Sequence, residues 1–399
     1  MADRMTHRYA PDVAIAPGET IAEILRERGI AQTDFALMLG RTEKNVSQLV
    51  NGKAPISPEL AIDLERVLGV PAAMWNNLES TYRDLLARGR EVERHRGDTA
   101  WVKTFPTKYL RDNDFIARET APGEEAGELL DFFGVASPDA WRDYWTAPRR
   151  LAARATTASH DLPALTVWLR AGELAAREIE LAAYDAKAFA AVVARARTMT
   201  CEPADEAFEA LALMCAGAGV ALVVVPEPPK VGCYGLSRWT SDDRAVIQLC
   251  LRRKTADQLW FSFFHEACHV LRHSRKRTYV EDVSDRSVEE IEANAFASDT
   301  LIPKDAWGRF LAHGRPTKAS ARAFATEQGI HVGIVVGRLQ HERVVPYSHM
   351  NDLKTKLAWV SSHGLGSGAV ARVDRATGIE SPGIARRLST ENGSGVPDA

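Results

Sequence analysis

Leu259-Trp260-Phe261-Ser262-Phe263-Phe264-His265-Glu266-Ala267-Cys268-His269 is the stretch on which the reading of this chain turns. Its two histidines stand four apart, so on a helix both imidazoles leave one face one turn from each other, the spacing a shared zinc ion requires. Glu266 lies beside them, where it can take a proton from a metal-activated water. The apolar and aromatic run before His265 predicts a largely buried helix and therefore a dry site. A lone His-x-x-x-His pair is more often two core histidines satisfied by carbonyls, so a third ligand is needed. Downstream, Glu289-Glu290-Ile291-Glu292-Ala293-Asn294-Ala295-Phe296-Ala297 reads as a second helix. There Glu290 shares a face with Ala293, Asn294 and Ala297, the small residues expected where helices pack closely. Glu290 is taken as the third ligand, and Asn294, one turn on, as the side chain that orients a ligand by hydrogen bonding. Glu289 and Glu292 are expected to face solvent.

Outward from this stretch the periodicity changes. Val220-Ala221-Leu222-Val223-Val224-Val225, stopped by Pro226, and Ala245-Val246-Ile247-Gln248-Leu249-Cys250-Leu251 read as strands of a small sheet. The second is a candidate edge for an extended peptide. Further helices are predicted at about Ser287 to Ser298, Lys304 to His313 and Gly333 to His341. Residues 124 to 217, rich in Ala, Leu, Glu and Arg, read as packed helices, and residues 76 to 97 as a charged helical connector. The fold class is therefore α+β, mainly α. Its expected segments are a flexible arm (1–16), a helix-turn-helix bundle (17–78), a charged linker (79–100) and a helical middle region (101–217) serving as sensor or interface. A domain with a small sheet and the His-Glu helix (218–345) and an extension (346–399), disordered after about residue 364, complete it.

Near the N-terminus, Gln32 to Gly52 has the proportions of two helices and a tight turn at Gly40, with Thr42 as N-cap. Ala36 lets the helices approach, and Val46, Leu49 and Val50 hold the second on the first. The opposite face then displays Lys44, Asn45, Ser47, Gln48 and Asn51, with Lys53 just beyond, side chains able to meet phosphates and base edges. A helical hairpin for docking or dimerisation is the competing reading.

The whole chain has 399 residues and a net charge of −3, so DNA binding has to come from a local surface. No run approaches the roughly 20 apolar residues of a membrane span, and the first 17 residues do not read as a secretory signal. A cytoplasmic protein, nucleoid-associated when bound to DNA, is expected. Its five scattered cysteines suit reduced thiols in apolar surroundings.

The run from Pro17-Gly18-Glu19-Thr20 through Asn51-Gly52-Lys53-Ala54-Pro55-Ile56-Ser57-Pro58-Glu59 to Leu68-Gly69-Val70-Pro71 and Trp75 resembles the antitoxin-type, HigA-like branch of the phage-repressor-like helix-turn-helix family. The resemblance implies operator DNA bound by a homodimer. Residues from about Val220 to Leu339 resemble the ImmA/IrrE metallopeptidases, through Trp260 to His269, Glu290 to Ala297 and Leu301-Ile302-Pro303. That resemblance implies a gluzincin-like endopeptidase with zinc on His265, His269 and Glu290, Glu266 as general base, and a protein substrate such as a repressor, antitoxin or toxin-like partner. The alternative is a regulator of toxin-antitoxin type whose metal domain senses a ligand or partner without cutting. Cys268 departs from the glycine or small residue usual in the family and reads as an apolar filler. Tyr234, His273, His331 and His341 are candidates for stabilising a transition state, each more simply read as structural.

Overall fold

The computed structural model describes residues 15–121, 123–147, 161–281, 287–359 and 373–375. The chain divides into two compact units, Met1–Val102 with Glu119–Leu129, and Lys103–Arg118 with Leu130–Ala399.

The first unit begins with α1 (Pro17–Glu27), α2 (Gln32–Met38), α3 (Glu43–Val50), α4 (Pro58–Leu68) and α5 (Ala72–His95). Each of the first four is too short to persist alone in water, so burial of one apolar stripe per helix supplies the stability. Ile21, Leu25, Phe35, Val46, Leu49, Leu64 and Trp75 form that shared core. Local signals set the ends. The Thr42 and Ser57 hydroxyls accept from Asn45 N and Leu60 N, Pro58 occupies the first turn of α4, and Gly69 ends it at φ 67°. Gly40 makes its turn at φ 62°. Trp75, expected near the end of the bundle, instead lies in the first turn of α5, fully buried and donating its indole N–H to Val70 O. Bundle and charged connector are thus one continuous helix, because no Gly or Pro interrupts residues 72 to 88.

Short helices α6 (Thr99–Val102), α7 (Thr107–Asp112), α8 (Glu125–Phe133) and α9 (Pro138–Trp145) follow. The second unit continues with α10 (Leu162–Arg177), α11 (Ala186–Met199) and α12 (Ala204–Gly217). Strands β1 (Val220–Val224), β2 (Gly235–Ser241), β3 (Arg244–Leu249) and β4 (Tyr279–Val280) form one sheet in the order β1-β3-β2-β4. β1 pairs with β3 in parallel, and the other two pairings are antiparallel. The α+β, mainly helical class is the one expected. β2 and β4 carried no clear strand signal: Gly235-Leu-Ser-Arg-Trp-Thr-Ser is poor in β-branched residues, and β4 is two residues long.

The central place of β3 corrects one expectation: paired on both sides, it has no free edge for a substrate, and the edges are β1 and β4. The sheet is covered on both faces. Gln248 and Arg238 donate to Trp168 O and Leu169 O of α10, while Gly235, on the alternate face, meets α13 (Ala256–Arg272) through Glu266. Then come α14 (Val288–Leu301), α15 (Lys304–Ala312), α16 (Lys318–Gln328) and α17 (Val332–His341). Residues of α11, α12, the sheet and α13 to α17 share one core, so helices expected in a separate middle region are built into the sheet domain. Of the extension, Val373–Arg375 (β6) pairs antiparallel with Leu357–Trp359 (β5). The rest of the stretch expected to be disordered, and residues 1–14 of the expected arm, lie outside the described residues.

Candidate functional site

α13 is held by its apolar side. Leu259, Trp260, Phe263, Phe264 and Ala267 are buried, with the Trp260 ring 4.5 Å from that of Phe208 on α12. Each such large side chain contributes about 1.5–3 kcal/mol of burial free energy, enough to fix the helix's rotation and with it the direction of His265, Glu266 and His269. α14 starts where Ser287 Oγ accepts from Glu290 N, and Ala293 and Ala297, both fully buried, let it approach α13 closely.

The two helices bring the three anticipated ligands together. His265 Nε2 lies 3.0 Å from Glu290 Oε2, His269 Nε2 3.3 Å from Glu290 Oε1, and the two Nε2 atoms 3.1 Å apart. All are buried. Asn294, anticipated as an orienting residue, places Oδ1 3.2 Å from His265 Nδ1. The amide oxygen only accepts, so His265 Nδ1 carries a proton, and Nε2 is the atom that faces Glu290.

The electrostatics are those of a crowded acceptor site. Burial would lift the Glu290 carboxyl, yet hydrogen bonds from His265 and His269 hold it down at about 2. Burial pushes His269 down to about 4, with His265 and His273 adding to the effect and Glu290 opposing it. For His265 burial also opposes charge, but the Glu290 hydrogen bond and the Glu281 and Glu266 carboxylates outweigh it and raise the group to about 9. Without a metal, the proton on His265 supplies the positive charge that Glu290 pairs with, and a divalent cation that displaced it would meet three acceptors. The residues fit zinc: two imidazole nitrogens and a carboxylate, within 4.8 Å of one another.

Glu266 is wholly buried, and burial raises its pKa well above the usual range, with His265 and the Ser237 hydroxyl opposing the rise. Room for it comes from Gly235, where a β-carbon would sit 2.9 Å from Glu266 Oε1 and 3.0 Å from its Cγ. Gly235 was missed in the sequence because only the register of β2 against α13 gives it meaning. Glu281 was missed too. It is buried just after β4, its backbone N–H donates to Gly235 O, and burial lifts its carboxyl.

The remaining candidates separate. The Tyr234 hydroxyl accepts from Arg253, His331 caps α17 by accepting from Gly333 N, and His341 is exposed. His273 alone of the four meets the cluster, its Nδ1 2.8 Å from His269 Nδ1. Glu289 and Glu292 keep the expected exposure in part, paired with Arg277 and Arg272. Cys268 is fully buried and pushed up to about 12 by that burial. Of the other cysteines, Cys215, Cys233 and Cys250 are buried and Cys201 is exposed.

In the first unit, Thr42, Lys44, Asn45, Ser47, Gln48, Asn51 and Lys53 are all exposed, while Val46 and Leu49 face the core. Thr42 is committed to its cap. Asn51 donates to Ser47 O at the end of α3. Gly18 permits α1 to cross this end of α3, since a β-carbon there would come 2.3 Å from Leu49 O.

Residues 21–75 match the helix-turn-helix family, and residues 222–340 match the IrrE N-terminal-like domain. An uncharacterized HTH-type transcriptional regulator, YddM of Escherichia coli K12, is 36% identical over 66 residues, 16% of this chain and 70% of that protein. Two solved structures are similar to the N-terminal part. Pseudomonas aeruginosa antitoxin HigA with the higBA promoter is 30% identical, covering 21% of this chain and 90% of that one, with TM-score 0.20. An addiction module antidote protein of a HigA family from Coxiella burnetii is 27% identical, covering 20% and 92%, with TM-score 0.19.

Proposed function

Because the chain belongs to the helix-turn-helix transcriptional regulators through residues 21–75 and carries an IrrE N-terminal-like domain over residues 222–340, we propose that it is a DNA-binding regulator whose second unit is a zinc endopeptidase acting on a regulatory protein. A repressor, antitoxin or toxin-like partner is the substrate class. The observation that carries the reading is the convergence of His265, His269 and Glu290 beside a fully buried Glu266.

His265, His269 and Glu290 would hold the zinc, which when bound supplies polarisation of a scissile carbonyl and a lowered pKa for water. Glu266 takes up a proton and delivers it to the leaving amine, a role suited to a carboxyl whose pKa is raised by burial. Asn294 holds His265 in its ligating tautomer. An extended substrate adds along the β4 side of the sheet. In the first unit, α3 enters a major groove with Lys44, Asn45, Ser47, Gln48, Asn51 and Lys53 toward phosphates and base edges, Thr42 fixing its start. Two copies bind an operator as a dimer, in the cytoplasm.

Glu266→Gln is the test. The variant should keep its zinc and lose about 10²–10⁴ of cleavage rate toward proteins co-regulated with the operator. Undiminished cleavage would sink the peptidase reading. One observation favours a second reading: His265, Glu266, His269 and Glu290 are each at most 3% exposed. A site so closed suits a metal-dependent sensor that binds without cutting, and a wild-type chain that holds zinc but cleaves no such protein would select it.

A further inference from the structure

We infer that His273 and Glu292 are positioning residues for His269, forming a hydrogen-bonded chain from the surface that fixes the tautomer in which His269 Nε2 is bare and faces the cation. The inference rests on the zinc reading of His265, His269 and Glu290. It begins at the surface end. The Glu292 carboxylate can only accept, and Arg272 occupies Oε1 at 3.0 Å, leaving Oε2 3.3 Å from His273 Nε2. His273 Nε2 therefore carries a proton, and in the neutral ring Nδ1 is then an acceptor. That Nδ1 lies 2.8 Å from His269 Nδ1. Two bare nitrogens at that separation would repel, so His269 Nδ1 carries the proton and donates it. That leaves His269 Nε2 as the atom facing Glu290 and His265 Nε2, free to ligate a cation held among the three.

The two histidine ligands are thus oriented by different means. His265 answers to a neutral amide, Asn294, whereas His269 is backed by an imidazole and an anion. A carboxylate relayed through an imidazole makes the ligand more basic and strengthens the metal bond. The plane of His269 is fixed separately by Tyr279, stacked on it with centroids 4.3 Å apart and 20° between planes, and Tyr279 is itself held where its hydroxyl accepts from Ser274 N.

Cys268, His273 and Glu292 also place potential ligand atoms within 4.8 Å of one another. Two features favour the hydrogen-bonded chain over a second cation there: Arg272 already puts a positive charge against Glu292, and His273 turns Nδ1 toward His269.

The test uses the full chain and two readouts. Zinc affinity, measured by competition with a chromophoric chelator, should fall about tenfold to a hundredfold in His273→Ala and by a smaller factor in Glu292→Ala. Glu292 is half exposed, so its replacement leaves the fold intact, and His273→Gln, whose carbonyl can accept from His269, should recover part of the loss. Nitrogen-15 NMR of the histidines in metal-free protein reads the tautomer directly: His269 Nδ1 protonated in wild type, and a mixed population in His273→Ala. The inference is overturned if both alanine variants bind zinc within about twofold of wild type, against the tenfold or more expected, or if His269 Nδ1 is unprotonated. A second zinc equivalent lost with His273 also overturns it. A wild-type chain that takes up no zinc yet shows the Nδ1–H tautomer would remove the zinc reading and leave the hydrogen-bonded chain standing.

Discussion

Gly235 and Glu266 form one steric unit: the carboxyl-bearing side chain occupies the volume that any β-carbon on that strand would take. Gly235→Ala should therefore displace Glu266 from its place beside the ligands and cost about 1–3 kcal/mol by overpacking. A lowered thermal midpoint would measure this. An unchanged midpoint would show that the side chain has room to retreat. Burial also sorts the thiols. Cys201 is exposed, and the other four are buried, with burial raising Cys215 and Cys268 to about 12. An aromatic disulfide reagent should titrate one thiol in native protein and all five in denaturant, since the thiolate is the reactive form. Rapid reaction of more than one thiol in the native state would contradict the burial described.

At the scale of elements, α3 depends on α1 through a close crossing. A β-carbon at Gly18 would meet Leu49 O at 2.3 Å and Val50 O at 2.4 Å, and backbone at that distance cannot step aside without moving α3. Gly18→Ala should destabilise the first unit by about 1–3 kcal/mol and weaken operator binding through the displaced helix. Thermal melting read together with DNA titration would check both, and an intact DNA affinity would show that α1 does not position α3. Lys44→Ala combined with Gln48→Ala should instead leave stability alone and, on the proposed reading of α3, weaken operator binding by about 1–3 kcal/mol. At this scale much of the pattern was legible in the sequence. Thr42 and Gly40 mark their own helix ends because caps and left-handed turns are local chemistry. α16 went unread because its apolar positions are alanines and a single phenylalanine, Phe324, which make a weak stripe.

For the whole molecule, the two units carry separate cores, so a ligand that binds one should stabilise only that one. Zinc at about a hundredfold over its dissociation constant adds about 2.7 kcal/mol to the unit that binds it. Calorimetry should then show one thermal transition that rises with zinc and falls with a chelator, and another, lost selectively in Gly18→Ala, that does not respond. Coincident shifts of every transition would mean that the units unfold together. The long helices α10 to α12 belong with the sheet for a reason that no local pattern carries. The alternation of β2 and β3 turns Gln248 and Arg238 toward α10, while the opposite face turns Gly235 toward α13.

The sequence by itself determined the local geometry of the candidate site. The four-residue spacing of His265 and His269, the carboxylate between them, and the small-residue face bearing Glu290 and Asn294 follow from helical periodicity, which any stretch of chain carries within itself. The helix-turn-helix is set in the same way, by caps, turn glycines and an apolar stripe. Only the tertiary structure decided what depends on partners remote in sequence. It put β3 inside the sheet, gave Gly235 its purpose against Glu266, buried Glu281 beside the site, and joined His273 and Glu292, 19 residues apart on neighbouring helices, behind His269. Register and helix rotation are settled by how whole faces pack, and a face has no meaning until the surface it meets is known.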